Sequence, residues 1–228
     1  MSRTFAHSVR DNSLALFFGV IFVAALIGQA LTGVSVYNSE QTASGLEKIS
    51  TLQYVTSSSF AVDVTENWQS EYLQFFLYIY ATVWLVQKGS PESKSLGRSG
   101  TESDEDQCVG SHAREKSPAW AQRGGWRLAI YSRSLGLVMA AIFLTSLLAQ
   151  SIAGTSEYNE SQLRDFQDVV SWWDYTTSAE FWNRTLQNWQ SEFLAVASMV
   201  VLAIYLRQRG SPESKPVGSA HESTGIEG

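Results

Sequence analysis

The chain has few of the residues on which most catalytic and nucleic-acid-binding sites depend. One cysteine in 228 residues, Cys108, excludes an internal disulfide framework and a cysteine-rich metal site. The formal net charge of -6 lacks the basic face of an electrostatic nucleic-acid binder. The three histidines lie in separate segments, and no His or Lys is spaced to activate Ser57 or Ser178. We therefore predict no catalytic residue, no metal site and no cofactor, and so a protein that is not an enzyme.

Charged residues are missing from two long stretches. One runs between Asp11 and Glu40, and the other runs from Ser134 to Ser156. Each stretch is apolar on all sides, and about 20 such residues match the thickness of a bilayer's hydrocarbon core. We predict the first and third membrane spans here, with their most apolar parts at 14–31 and 135–152.

Two shorter uncharged stretches predict the second and fourth spans, at 72–87 and 193–206. Glycine, serine and proline follow each stretch, at 89–91 and 210–212, and this composition is typical of a helix end. A length of about 20 residues then requires each span to begin near an asparagine, Asn67 or Asn188.

The sequence is a duplication with a constant offset. When it is shifted by 121 positions, residues 13–94 align with 134–215 without a gap, and roughly 31 of the 82 pairs are identical. Because each copy has two spans, both copies enter the bilayer in the same direction. The repeat predicts two parallel helical hairpins, and it also argues that the first span is retained rather than cleaved as a signal peptide.

Lysine and arginine give the orientation independently. Of the 16 Lys and Arg residues, only Lys48, Arg164 and Arg184 lie in the two loops that follow the first and third spans. The others, which include Arg3 and Arg10, lie in the termini and the central segment. By the positive-inside rule, both termini and the central segment are cytoplasmic.

The remaining segments complete the predicted organisation. We expect a short helix on the outer face in each outer loop, and disorder in the polar linker and tail. The predicted domains are a first two-span repeat at 1–94, a disordered cytoplasmic linker at 95–125, a second two-span repeat at 126–215 and a disordered tail at 216–228. The predicted class is an all-α integral membrane protein with four transmembrane helices.

Three repeated patterns carry a family resemblance. They are Tyr-x-x-Ser-x-x-Phe from Tyr54 and Tyr175, Asn-Trp-Gln-Ser-Glu from Asn67 and Asn188, and Gly-Ser-Pro-Glu-Ser-Lys from Gly89 and Gly210. With them the chain resembles a family of small bacterial four-helix membrane proteins that is known only as a domain of unknown function. The resemblance implies the same topology and a multi-pass location in the bacterial cytoplasmic (inner) membrane, and it implies no activity.

Polar residues near the outer ends of the spans form the first candidate site. Asn67 and Glu71 share a helix face, as do their repeat counterparts, because each pair is four residues apart. Asn can cap a helix whose first turn holds Glu, but ionisable residues near hydrocarbon also mark ion paths or partner contacts. Amides at the same depth most often join helices by hydrogen bonds. The predicted polar cluster comprises Gln29, Asn67, Glu71, Gln150, Asn188 and Glu192.

Two further sets of residues are predicted from the repeat and from aromatic composition. The Gly-Ser-Pro-Glu-Ser-Lys motif is a helix stop, and its identity in both copies also favours partner docking at Gly89, Ser90, Pro91, Glu92, Lys94, Gly210, Ser211, Pro212, Glu213 and Lys215. Tryptophans are expected to anchor the protein at headgroup level. These anchors are Trp68, Trp172, Trp173, Trp182 and Trp189.

Two functions fit these patterns. The first is a non-enzymatic scaffold or assembly component of the cell membrane, whose partners are the lipid bilayer and either a second copy or another membrane protein. The second is a small channel or transporter for protons or small cations, with its entrance at the outer Glu, Gln and Asn residues. A membrane enzyme ranks last, because only Glu71 and Glu192 offer a pair of carboxylates.

Overall fold

All regular secondary structure in the described part of the chain is helical. A computed structural model describes residues 9–226, so Arg3 and the last two residues of the predicted tail lie outside it. Between 9 and 226 there is no strand, which confirms the all-α prediction. We number the α-helices α1 (Ser13–Ala43), α2 (Thr51–Val55), α3 (Ser58–Trp84), α4 (Trp126–Tyr131), α5 (Ser134–Arg164), α6 (Trp172–Thr176) and α7 (Ala179–Tyr205).

The helix bounds repeat with the offset of the sequence. Helices α1 and α5 have 31 residues each, α2 and α6 have five, and α3 and α7 have 27. The short helices α2 and α6 lie in the two loops where we expected them. Among the described residues, α1 and α5 are long and apolar enough to cross a membrane, by length and composition alone.

Helices α3 and α7 begin earlier than predicted, and their caps are serines. The Ser178 side chain accepts a hydrogen bond from the Phe181 backbone N–H, and Ser57 Oγ accepts one from Phe60 N–H at 3.3 Å. Asn67 and Asn188 therefore lie inside the helices, and the prediction that they cap them is wrong. The reason is that the serine of the preceding Tyr-x-x-Ser-x-x-Phe motif accepts a hydrogen bond from a free N–H group at the start of the helix.

The tyrosine of the Tyr-x-x-Ser-x-x-Phe motif packs against a glycine of the preceding long helix. A Cβ built on Gly33 would lie 2.3 Å from the Tyr54 hydroxyl, and one on Gly154 would lie 2.6 Å from that of Tyr175. Both tyrosines are buried. Glycine is needed at these two positions because only its missing side chain leaves room for the ring.

An asparagine closes each of the loops that follow α1 and α5. Asn38 Nδ2 donates to the Ile49 carbonyl at 2.9 Å, and Ile49 N–H donates to Asn38 Oδ1 at 2.7 Å. Asn159 makes the same two bonds with Val170, at 2.9 and 2.8 Å. The side chain of the repeated Asn therefore makes the two hydrogen bonds that a backbone amide would make. It holds the end of the long helix against the start of the short one.

The compact units of the structure combine residues of both repeats. Among the described residues, the first unit comprises 9–64 and 150–175, and the second comprises 65–149 and 176–226. Within the first unit, Tyr37 Oη donates to Glu160 at 2.6 Å, and Ser59 Oγ donates to Glu157 at 3.2 Å. In each unit, segments from the two copies are therefore held together, although the predicted domains followed the repeat boundaries.

The predicted linker and tail have local structure. Residues 95–125 form turns and one 3-10 turn at Gly110–His112, and Gly110 N–H donates to the Ala121 carbonyl at 2.8 Å. Residues 216–226 are held by hydrogen bonds to earlier segments of the second unit, as described below. Their polar composition predicted disorder, but backbone groups rather than apolar side chains hold them in place.

We predict that adding a methyl group at Gly33 or Gly154 destabilises the protein. Because the nearest ring atoms would have to move, Gly33→Ala and Gly154→Ala should each cost about 1–3 kcal/mol of the free energy of unfolding. The measurement is thermal or denaturant unfolding in detergent micelles. Gly28→Ala is the control, since a Cβ at that position would meet no atom within 4 Å. Equal stability of all three variants would contradict the packing of Tyr54 and Tyr175 on these glycines.

Phe166 occupies a position where the first repeat has glycine. Its φ is 58° and its side chain is 97% exposed, and its counterpart Gly45 has a φ of 73°. A left-handed conformation is strained for phenylalanine, so Phe166→Gly should raise the stability by about 1 kcal/mol. Phe166→Ala, which removes the ring but keeps the strain, should not. A melting-temperature series distinguishes these outcomes, and a gain for Ala equal to that for Gly would refute the argument.

Candidate functional site

The predicted polar cluster is divided between the two compact units. Gln29 and Gln150 belong to the first unit, and Asn67, Glu71, Asn188 and Glu192 belong to the second. Gln150 is buried, with 1% of its surface exposed, whereas Gln29 lines an open cavity.

That cavity lies in the first unit and is lined by acidic side chains. It has a volume of about 340 Å³, and its lining includes Gln29, Tyr54 and three carboxylates, those of Glu40, Asp63 and Glu157. Burial, and then the charges of Asp63, Glu157 and Glu40, raise the pKa of the Tyr54 phenol. Within residues 9–226, no three His, Cys, Asp or Glu side chains are grouped to hold a metal ion.

In the second unit, the repeated glutamates lie near one another. Glu192 is half-buried and within electrostatic range of Glu71, which is exposed. Both glutamates sit well inside 27-residue helices, so the prediction that they occupy a first helical turn is wrong. Their charges therefore gain nothing from the free N–H groups of a helix start.

A wholly buried amide lies two residues before Glu71. Gln69 is 0% exposed, and its Oε1 accepts a hydrogen bond from Trp189 Nε1 at 2.8 Å. Its Nε2 has no partner among the described residues. Gln69 belongs to the repeated Asn-Trp-Gln-Ser-Glu motif, but the prediction singled out only the Asn, Trp and Glu.

An ion pair between the repeats was also missed. Arg184 Nε lies 3.0 Å from Glu66 Oε2, and both side chains are more than two thirds buried. The repeat could not indicate this contact, because the counterpart of Arg184 is Asp63 and the counterpart of Glu66 is Gln187.

A second cavity, of about 260 Å³, lies between α3 and α7. The two helices contribute equivalent positions of the repeat, because Gln74, Phe75 and Tyr78 correspond to Ala195, Val196 and Met199. Glu92 completes the lining. The cavity therefore lies on the approximate symmetry axis of the duplication, and only the first copy gives it polar side chains.

Glu92 is held at this cavity by a hydrogen bond from the Tyr78 hydroxyl. Tyr78 lies six residues before the end of α3. The loop after α3 therefore folds back and places Glu92 beside a point about 9 Å from that end. From the sequence, Glu92 was expected in a docking loop. The prediction had no means of finding this contact, since it depends on the path of the loop.

Both Gly-Ser-Pro-Glu-Ser-Lys motifs form the same loop. Ser93 Oγ accepts from Gln87 N–H at 2.8 Å and donates to the Lys94 carbonyl at 3.1 Å. Ser214 makes the same two contacts with Gln208 and Lys215, at 2.9 and 3.1 Å. The motif does more than end a helix, because α3 and α7 already end five residues before Gly89 and Gly210.

The lysine of each motif binds the chain that follows it. Lys215 is 1% exposed, and its Nζ donates to four carbonyl oxygens, those of Gly89, Ala220, His221 and Ser223, at 2.6 to 3.3 Å. Burial and the neighbouring Arg207 lower the pKa of the Lys215 ammonium, and the carbonyl oxygens offset that cost. Lys94 Nζ donates to the Gly100 carbonyl at 2.9 Å and pairs with Glu102.

The tail covers the first motif loop and leaves the second one open. Gly89 N–H donates to Thr224 Oγ1 at 2.8 Å, and Gly225 N–H donates to the Ser90 carbonyl at 3.1 Å. Ser90 and Pro91 are buried as a result, whereas Gly210, Pro212 and Glu213 are exposed. Of the five predicted docking residues in each copy, four are more accessible in the second copy, and Lys215 is the exception.

The predicted tryptophan anchors are mostly exposed. Trp68, Trp172, Trp173 and Trp182 have 41 to 67% of their surface exposed. Trp172 also donates its Nε1–H to Ser151 Oγ at 3.0 Å. Trp189, by contrast, is half-buried and holds Gln69. Anchoring at headgroup level remains a prediction.

We predict that Lys215→Met releases the tail. Methionine keeps most of the length and apolar surface but cannot donate to the four carbonyls, so residues 216–226 should exchange their amide hydrogens at least about tenfold faster. Hydrogen exchange read by mass spectrometry on the detergent-solubilised protein measures this. Lys94→Met is the matched control, since it should loosen 95–102 and leave the tail protected. Unchanged exchange of the tail in Lys215→Met would show that other contacts hold it.

A family model described as "Domain of unknown function (DUF6766)" matches residues 5–226. Comparisons with curated proteins and with solved structures give no match.

Proposed function

Because the chain belongs to this family of unknown function, we propose a role from its own features. We propose that it is a multi-pass protein of the bacterial cytoplasmic membrane in which α1, α3, α5 and α7 cross the bilayer as two parallel hairpins. Both termini then lie in the cytoplasm. Its role is that of a non-enzymatic scaffold that assembles with a partner or with a second copy.

One observation carries the membrane assignment. The first uncharged stretch forms a helix whose large apolar side chains are outward-facing, with Leu14 at 72%, Phe18 at 60% and Val20 at 68% exposure. The corresponding stretch of α5 is similarly exposed, as at Leu135 and Leu144. A continuous apolar surface of this kind is unfavourable in water and favourable in lipid. A bilayer is the medium that covers it.

The crossing of α3 and α7 rests on length and on the repeat. Each helix has 27 residues, which corresponds to about 40 Å and exceeds the thickness of the hydrocarbon core. Their inner halves also expose apolar side chains, as at Leu77 and Leu202. Their outer halves are polar, which leaves them less apolar than α1 and α5.

The scaffold role rests on the two motif loops. The first loop binds a peptide segment, because the protein's own tail lies on Gly89 and Ser90 through hydrogen bonds to their backbone. The second loop has the same six residues, the same serine contacts and an open surface at Gly210, Pro212 and Glu213. It is therefore suited to hold a polar peptide segment of another chain.

A channel or transporter for protons or small cations is the second candidate. It is favoured by the electrostatic proximity of Glu71 and Glu192, because ionisable residues near hydrocarbon are costly and tend to line a path.

The topology is tested with single cysteines in intact cells. Glu47→Cys and Asp168→Cys, each combined with Cys108→Ser, place one thiol at equivalent exposed positions of the two outer loops. A membrane-impermeant maleimide should label both variants from outside and should leave the natural Cys108 of the linker unlabelled until the cells are opened.

Crossing by α1 and α5 alone predicts a different pattern. Glu47→Cys and Asp168→Cys would then lie on opposite sides of the membrane, and Cys108 would share the side of Glu47→Cys. That result would refute the four-span proposal. Labelling of all three positions only after the cells are opened would refute membrane insertion.

A further inference from the structure

We propose that the second unit carries a proton route along the approximate symmetry axis between α3 and α7. The route enters at Glu71 and Glu192, which each lie three residues before a lining residue of the 260 Å³ cavity, continues through that cavity and leaves through Tyr78 and Glu92. It rests on the proposed membrane placement, deepens the second candidate function and names the proton as the transported species.

The polar residues of the route share one face of α3. Glu71, Gln74 and Tyr78 are spaced by three and four residues, so their side chains lie one above another along the helix. In α7 only the first of these positions keeps a polar residue, since Glu192 is followed by Ala195 and Met199. The second copy therefore supplies an apolar wall, and the first copy supplies the groups that exchange protons.

The cavity can hold water between the two ends. Its volume has room for several molecules, since each occupies roughly 30 Å³ in the liquid, and Gln74, Tyr78 and Glu92 provide hydrogen-bond partners. Gln69 adds an independent sign of hydration near the outer end. Its buried Nε2 has no protein partner among the described residues, and such donors are normally satisfied by water.

The inner end has the arrangement that a proton relay needs. Tyr78 donates its hydroxyl proton to the Glu92 carboxylate while its oxygen accepts a proton from cavity water, so no phenolate is left behind. Glu92 then releases its proton to cytoplasmic water. Each step conserves the number of protons, and Tyr78 returns to its starting state when its hydroxyl rotates back.

The lining favours protons over metal cations. Four of the seven lining side chains are apolar, namely Phe75, Ala195, Val196 and Met199. A sodium, potassium or calcium ion that loses its water needs several oxygen ligands at once, which three polar side chains do not supply. A proton needs only a chain of exchangeable groups.

The experiment uses the full chain in liposomes that contain a trapped pH-sensitive dye, with a membrane potential imposed by potassium and valinomycin. We expect proton flux at least tenfold above protein-free liposomes. Three variants should each lower it at least fivefold, namely Glu71→Gln combined with Glu192→Gln, Tyr78→Phe and Glu92→Gln. Glu105→Gln, an exposed linker position, is the charge-loss control and should keep the wild-type flux.

Three readings decide the outcome. Sodium flux measured on the same liposomes should stay at the protein-free level, and sodium flux equal to proton flux would overturn the proton assignment. Melting temperatures show whether the variants are folded. If Tyr78→Phe is folded and conducts like wild type, the exit through Tyr78 and Glu92 is wrong.

Failure of the route is separable from failure of the membrane placement. Maleimide labelling of Glu47→Cys and Asp168→Cys, each with Cys108→Ser, is repeated on the same liposomes, because these two thiols share one side with four spans and lie on opposite sides with two. No proton flux through protein with the four-span topology overturns the route and leaves the placement intact. A two-span topology overturns both, because Tyr78 would then lie outside the bilayer.

Discussion

The fold depends on the medium that covers the exposed apolar surface of α1 and α5. These helices turn large side chains such as Leu14, Phe18 and Leu144 outward, and few of their residues are buried against the rest of the chain. In the proposed membrane placement, lipid supplies the contacts that a soluble protein obtains from its own core. Close contacts within the chain occur where a glycine leaves room for a tyrosine ring, as at Gly33 and Gly154, and where polar groups pair, as at Glu66 and Arg184.

The duplication explains the local structure that the two copies share. The residues that differ explain why the copies contribute differently to the cavity. Shared residues carry local structure, since Asn38 and Asn159 close their loops in the same way and Ser93 and Ser214 make the same contacts. Some contacts between copies use residues that differ between them, such as Glu160, whose counterpart is Ser39, whereas Trp189 and Gln69 belong to the identical motifs. A symmetric pair has thus become two specialised halves, with polar residues on α3 and apolar ones on α7 at the cavity.

Sequence reasoning predicted the helical class, the helix pairs and the short loop helices, because long uncharged stretches and a constant offset are visible without coordinates. It placed the starts of α3 and α7 too late, since it counted residues for a bilayer and did not use the serine caps. One of its alternative interpretations of Asn67 and Asn188, a capping role, is wrong for the same reason. It could not find Tyr78 with Glu92, or Lys215 with the tail, because those contacts depend on how a loop folds back rather than on a periodic pattern.

The central proposal is that α3 crosses the bilayer. Nitroxide labels at Trp68, Leu77 and Leu85, in a Cys108→Ser background, report depth through the relative accessibility to oxygen and to a water-soluble nickel complex. The account predicts the greatest depth at Leu77, and shallower values at Trp68 and Leu85. High nickel accessibility at Leu77, equal to that at Trp68, would contradict it.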